Sequence, residues 1–236
     1  KEAHMARTKT YHHFCPVARA LEVIGEKWSL LIVRDLMRGP KRFSDLQRYL
    51  GDITAKWLSL RLRDLEQAGI VERDVRGRRE VWYRLTAKGR ALRPVIEELA
   101  FWGIDHALRP PLPGEPVHPA HATTPFVGYW NRRGLRPEGP VAWSLNFDPG
   151  TVYTVRFDGE TWSIERGESP ADLAVTVSPE AWVAFLAAPP EQRRELAGSL
   201  RMDGTPERVS EFVALMERSA ESAGEQERIA DLGRSR

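Results

Sequence analysis

The sequence predicts an α+β chain of two domains, helices with a small hairpin first and a sheet with helices second. Length, charge and proline placement predict it. At 236 residues the chain exceeds the common domain size of about 100–150 residues. Its formal net charge of +2 divides unevenly. Residues 1–111 hold 22 Lys or Arg against 14 Asp or Glu, a net of +8, and the remainder holds 13 against 19, a net of −6. Such asymmetry points to a polyanion meeting the first half alone. Six of the 17 prolines fall in Arg109–Pro125, RPPLPGEPVHPAHATTP. Proline fixes φ and lacks an amide donor, so this stretch is expected to be a stiff, extended linker that no helix crosses. The expected organisation is an extension over 1–13, a domain over 14–109, the linker over 110–125, a second domain over 126–220 and a polar, disordered tail over 221–236. Met5 is read as the native start and KEAH as tag residue.

Composition excludes other classes. No apolar run approaches the roughly 20 residues that span a bilayer, so no membrane partner is expected. The first residues lack the apolar core of a secretory signal, and the single cysteine allows no internal disulfide. A cytoplasmic location follows as an expectation.

Pro16 suits the first turn of a helix that Gly25 ends. Lys27–Arg38 is a second helix, apolar at Trp28, Leu31, Ile32 and Leu36, stopped by Gly39-Pro40. Ser44 with Gln47 forms a capping-box pattern for a short helix to about Leu50. Gly51-Asp52 turns, Thr54 caps a helix that Gly69 ends, and Ile70–Val75 with Val81–Leu85 flank the turn Arg76-Gly77-Arg78-Arg79 as a hairpin. Thr86 caps one last helix to about Leu108. This is the order of a winged helix-turn-helix. On the helix after Thr54, Leu58, Leu62 and Leu65 share one arc and form the core stripe. Lys56, Ser59, Leu60, Arg63 and Gln67 share the opposite arc. A basic face alone is more often a solvated face. Combined with the element order and the +8 charge, it points to double-stranded DNA as partner, with this face in the major groove. Arg76, Arg78 and Arg79 at the hairpin tip, and Lys41, Arg42 and Ser44 at the preceding helix, suit phosphates. Thr54 completes the candidate DNA-binding set.

Gly25-Glu-Lys-Trp28, Arg42-Phe-Ser-Asp-Leu46, Leu62-Arg-Asp-Leu65, Ala68-Gly-Ile70 and Tyr83-Arg-Leu-Thr-Ala-Lys-Gly89, following Cys15-Pro-Val, resemble the HxlR family of winged-helix transcription regulators. The resemblance runs from about Phe14 to Arg109. It implies a homodimer formed through the first and last helices of the domain, reading a two-fold operator. Two departures stand out: Leu60 occupies a usually polar DNA-facing position, and the arginine-rich tip replaces a proline-containing one. Some family members keep a redox-sensing cysteine where Cys15 stands, near a helix N-terminus that favours thiolate; the alternative is a small buried apolar residue. His12, His13, His118 and His121 lack a third ligand, so no metal is expected.

In the second half, Val141–Phe147, Thr151–Phe157, Thr161–Arg166 and Leu173–Val177 read as strands joined by turns at Asp148-Pro-Gly150 and Asp158-Gly159. Helices are expected over Phe126–Arg133, Pro179–Ala188, Pro190–Ala197 and Pro206–Ala220, with a strand over Leu200–Asp203. The sum is a mainly antiparallel sheet with helices on one face. No Ser-His-Asp or Cys-His set, P-loop or dinucleotide fingerprint is present, so neither an enzyme nor a bound cofactor is expected. Eleven of 21 aromatics lie here, lining either an ordinary core or an apolar pocket. The strand order, the helix with Trp182–Leu186 and the ending Gly198-Ser-Leu-Arg-Met-Asp-Gly204 resemble a sterol-carrier-protein-like domain. That resemblance implies a tunnel for an apolar small-molecule effector, with Trp143, Phe157, Trp182, Phe185 and Phe212 as candidate walls. Two other readings stay open: a C-terminal structural or protein-interaction module, and a lipid carrier or enzyme that uses the winged helix for dimerisation.

Overall fold

The computed structural model describes residues 10–76, 80–147 and 150–233, and leaves the side chains of Arg76 and of 221–233 outside the description. The chain divides into two compact units, Lys1–Ile96 and Glu97–Arg236. The division falls inside a helix rather than in the proline-rich stretch.

The first unit runs α1 (Pro16–Ile24), α2 (Ser29–Leu36), β1 (Lys41–Arg42), α3 (Phe43–Leu50), α4 (Ala55–Gln67), β2 (Val71–Arg76), β3 (Glu80–Leu85), α5 (Ala87–Arg90) and the start of α6 (Arg93–His106). Leu58, Leu62 and Leu65 of α4 are buried with Ile32, Val33 and Leu36 of α2 and Leu46 and Leu50 of α3. That is the stripe the spacing predicts. The sheet order is β1-β3-β2, all antiparallel. Gly89 permits a close approach: a β-carbon there would stand 2.2 Å from the Ile70 carbonyl oxygen.

Three local expectations are corrected. Trp28 is not a helical position; it precedes α2 with a left-handed φ of 79°, turning the chain between α1 and α2. The cap of α3 lies earlier than Ser44: Asp45 accepts a hydrogen bond from the Arg42 amide at 3.2 Å, closing the first turn from Arg42. The single helix expected after Thr86 is two. Pro94 disfavours helical backbone at the residue before it and lacks a donor, so it sits in the first turn of a new helix.

The second unit begins on α6 and continues α7 (Pro119–Arg133), β4 (Val141–Phe147), β5 (Thr151–Phe157), β6 (Trp162–Arg166), β7 (Leu173–Val177), α8 (Pro179–Ala187), α9 (Pro190–Ala197), β8 (Arg201–Gly204) and α10 (Pro206–Gly233). The sheet order is β6-β5-β4-β7-β8, antiparallel except for the β4–β7 pair. Asp148 and Pro149 of the first expected turn lie outside the described residues. Asn131 completes the edge strand, its side-chain amide donating to the Trp162 carbonyl at 2.8 Å while the Trp162 amide donates back at 2.6 Å.

Two expectations fail here. A helix does cross the proline-rich stretch: α7 starts at Pro119 and contains Pro125. Pro119 sits where its missing amide costs nothing. Pro125 costs about 3 kcal/mol in a helix interior. That cost is offset because Phe126, Val127, Tyr129 and Trp130 become buried, each contributing about 1.5–3 kcal/mol. The polar tail is likewise helical, since α10 runs on to Gly233. Its Ala, Glu, Gln, Arg and Leu are strong helix formers, and polarity alone does not end a helix. Among the described residues, no helix is long and apolar enough to cross a membrane.

Candidate nucleic-acid interface

α4 carries the centre of the site. Thr54 starts it, its hydroxyl oxygen accepting from the Trp57 amide at 3.3 Å. Thr54 therefore acts on its own helix. The buried stripe fixes the rotation of α4, and the opposite arc is left outward: Lys56, Ser59 and Arg63 are exposed and Leu60 is half-buried beside them. These four candidates form one continuous strip. Arg61 lies off it and is buried, donating to Asp64 at 2.9 Å, pairing with Glu26 at 3.5 Å and stacking 5.6 Å from the Trp57 ring. This network holds α4 against the turn before α2.

The flanking candidates are placed differently. Arg42 is exposed but engaged: it donates to Glu80 at 2.6 Å and lies 4.8 Å over the Trp82 ring. β1 is the reason, since pairing Arg42 with Trp82 fixes that arginine on the hairpin. Lys41 is half-buried, its ammonium 3.4 Å from the Gly39 carbonyl. Ser44 is exposed in the first turn of α3. Arg76 ends β2, while Arg78 and Arg79 lie outside the described residues. The hairpin root is tied down behind them: Thr86 donates to the Gly69 carbonyl at 2.7 Å, and Lys88 donates to the Ala68 carbonyl at 2.8 Å. On the hairpin, burial pushes the Tyr83 hydroxyl above its ordinary pKa.

Sequence reasoning missed Trp57, which is 51% exposed in the first turn of α4. It falls between the buried and polar arcs, and the signal was its apolar bulk off the leucine stripe. Elsewhere, Cys15 is the half-buried N-cap residue of α1. His118 and His121 meet edge to face at 5.1 Å, and no group of three or more metal-ligand side chains gathers among the described residues.

The five aromatic candidates of the second unit do come together, but as packed core. Trp143, Phe157, Trp182, Phe185 and Phe212 are all at most 3% exposed. Trp143 lies 4.8 Å from Trp162 and 4.9 Å from Phe212 between ring centroids. Phe185 stacks on Trp182 and Phe212, and the Trp182 indole donates to Thr123 at 3.1 Å. None of the five lines either of two clefts on this unit, one beside Arg193 and one beside Ser144 and Asn146.

Comparison with known proteins bears on the first unit and the opening residues of the second. The HxlR-like helix-turn-helix family matches residues 23–110. The solved structure of reduced YodB from B. subtilis aligns with a TM-score of 0.36 at 39% identity, covering 40% of this chain and 96% of that one. The transcriptional regulator sll1512 of Synechocystis is 39% identical over 95 residues, 39% of this chain and 70% of that protein. The transcriptional regulator YodB of Bacillus subtilis is 42% identical over 91 residues, 37% of this chain and 81% of that protein. With relatives of this identity matched over most of their length, the chain belongs to the HxlR family of helix-turn-helix transcriptional regulators.

Proposed function

We propose that the protein is a homodimer that reads a two-fold operator in double-stranded DNA, with one α4 of each protomer in successive major grooves. The observation that carries this reading is the strip Lys56, Ser59, Leu60 and Arg63, aimed outward from a helix whose other side is locked into the core. Lys56 and Arg63 have the long basic chains that reach guanine edges, and Leu60 suits a thymine methyl. Lys41, Arg42, Ser44, Arg76, Arg78 and Arg79 hold phosphates on either side. For Arg42 this means exchanging Glu80 for a phosphate. Dimerisation is supported by apolar side chains left uncovered on two helices: Val17 and Leu21 on α1, with Phe14 just before it, and Val95, Leu99 and Trp102 on α6. Uncovered apolar side chains of this kind, taken on each helix separately, mark that helix as an interaction element.

The second unit serves in this reading as the effector module, a sterol-carrier-like domain for an apolar small molecule. Its aromatic density supports this, as do the Trp130 and Trp143 indole N–H groups, which are buried and meet no acceptor among the described residues. Buried donors of that kind are rare in a finished core. The effector controls DNA affinity by binding the free and DNA-competent states unequally.

DNA binding measured across salt concentrations tests the core of the proposal. Each phosphate held by a basic side chain adds about −0.9 to the slope of log K against log salt. The triple change Arg76→Ala, Arg78→Ala and Arg79→Ala should weaken all sequences alike and flatten the slope by about one for every phosphate that these arginines hold. Binding that ignores salt contradicts the reading. For the effector module, quenching of the tryptophans by the neutral lipid probe Nile red is the expected result; no uptake points to a purely structural or protein-binding unit.

A further inference from the structure

We propose that the second unit also carries a cleft for a small apolar carboxylic acid, with the ligand carboxylate seated on Arg193. The cleft holds about 270 Å³ and lies where the last residues of α6, Phe126 of α7, the α8–α9 connection and Ser219–Ala220 of α10 converge. Its walls mix polar groups with the apolar side chains of Ile104, Leu108, Phe126, Leu186, Pro189 and Ala220. Arg193 stands in that lining and is only 4% exposed.

The partners of Arg193 are unusual for a buried cation. Its Nε donates to the Ala188 carbonyl at 3.0 Å, Nη1 to the Met216 carbonyl at 2.6 Å and to Ser219 Oγ at 2.5 Å, and Nη2 to the Leu186 carbonyl at 2.5 Å. All four acceptors are neutral, and among the described residues no carboxylate pairs with it. The neighbouring Arg194, on the solvent side, takes the available acid, meeting Glu217 at 2.7 and 2.8 Å. A guanidinium has five N–H donors, so one on Nη2 is left over. Burial without a counter-charge disfavours the charged form and pulls this arginine down to about 10.

The other titratable groups in the lining do not answer that charge. Asp105 is already held, accepting from the Tyr129 hydroxyl at 2.5 Å and from Arg133 at 2.8 Å. His106 is exposed at the rim. A ligand that brings one negative charge and an apolar body therefore supplies what the cleft lacks. At about 30 Å³ per water-sized group, the volume accepts on the order of ten non-hydrogen atoms, the size of an eight-carbon acid.

This inference rests on the second unit being an effector module, but it sets the ligand outside the aromatic core. Calorimetric titration of the full chain with octanoate and with octanamide tests it, using the parent and Ala187→Phe, which adds bulk to the cleft lining while keeping Arg193. The expected result is saturable octanoate binding at one site per chain. Octanamide should bind at least tenfold more weakly, and the Ala187→Phe variant should take octanoate at least tenfold more weakly. Absent octanoate binding, equal binding of the amide, or binding unchanged by Ala187→Phe overturns it. If Nile red still quenches the tryptophans in that event, the effector module stands and only this cleft falls. If neither compound binds, both readings fall.

Discussion

Replacing Lys56 and Arg63 together with alanine should largely erase the preference for the operator over scrambled DNA. Each side chain is exposed on the outer arc of α4, so its removal leaves the buried stripe and the Thr54 cap intact. A bidentate contact to a base edge is worth about 1–3 kcal/mol of discrimination. At 1.4 kcal/mol per tenfold, the pair should cost on the order of a hundredfold in affinity for the operator. Scrambled DNA, held through phosphates alone, should be weakened far less. The measurement is a competition titration with both duplexes, alongside circular dichroism to show that the fold persists. Equal weakening on both duplexes would mean that these residues touch only the backbone and that α4 is docked wrongly.

The second large effect concerns the second unit. Trp143→Ala should lower its stability by about 3–5 kcal/mol, the usual cost of deleting a large buried aromatic. Trp143 is 1% exposed and packs its ring against Trp130, Trp162 and Phe212, so the cavity left behind has several walls that must either collapse or stay open. Urea unfolding monitored by tryptophan fluorescence checks it. A decrease below about 1 kcal/mol would mean that the indole is not close-packed against these rings.

The readable parts of this chain were those fixed by local chemistry. The Thr54 cap, the Leu58, Leu62 and Leu65 stripe, and strands Val141–Phe147 and Thr151–Phe157 depend on residues close in sequence, and the structure has them as expected. What was hidden depends on partners far along the chain. β1 is two residues long and exists because Lys41 and Arg42 pair with Tyr83 and Trp82. Without that pairing nothing in the sequence shows that Arg42 is held by Glu80. α7 violates local proline rules, and burial of its aromatic face makes it a helix all the same. The helix expected from Thr86 to Leu108 had an apolar face that pattern alone would bury, yet Val95, Leu99 and Trp102 remain exposed within the single chain. A pattern of apolar residues says that a face must be covered; whether the same chain or a second copy covers it is not written there. The aromatics of the second half show the same limit, since wall and core have one composition. Arg193 was silent too, because only the fold carries it away from acids.

The most decisive measurement is selection of duplexes from a random pool by the purified full chain, followed by sequencing. Two inverted half-sites centred about one helical turn apart, roughly 34 Å, are expected, with guanines at the positions that Lys56 and Arg63 reach. Recovery of a single unpaired site would contradict the two-fold arrangement, and recovery of no sequence preference at all would contradict operator reading by α4.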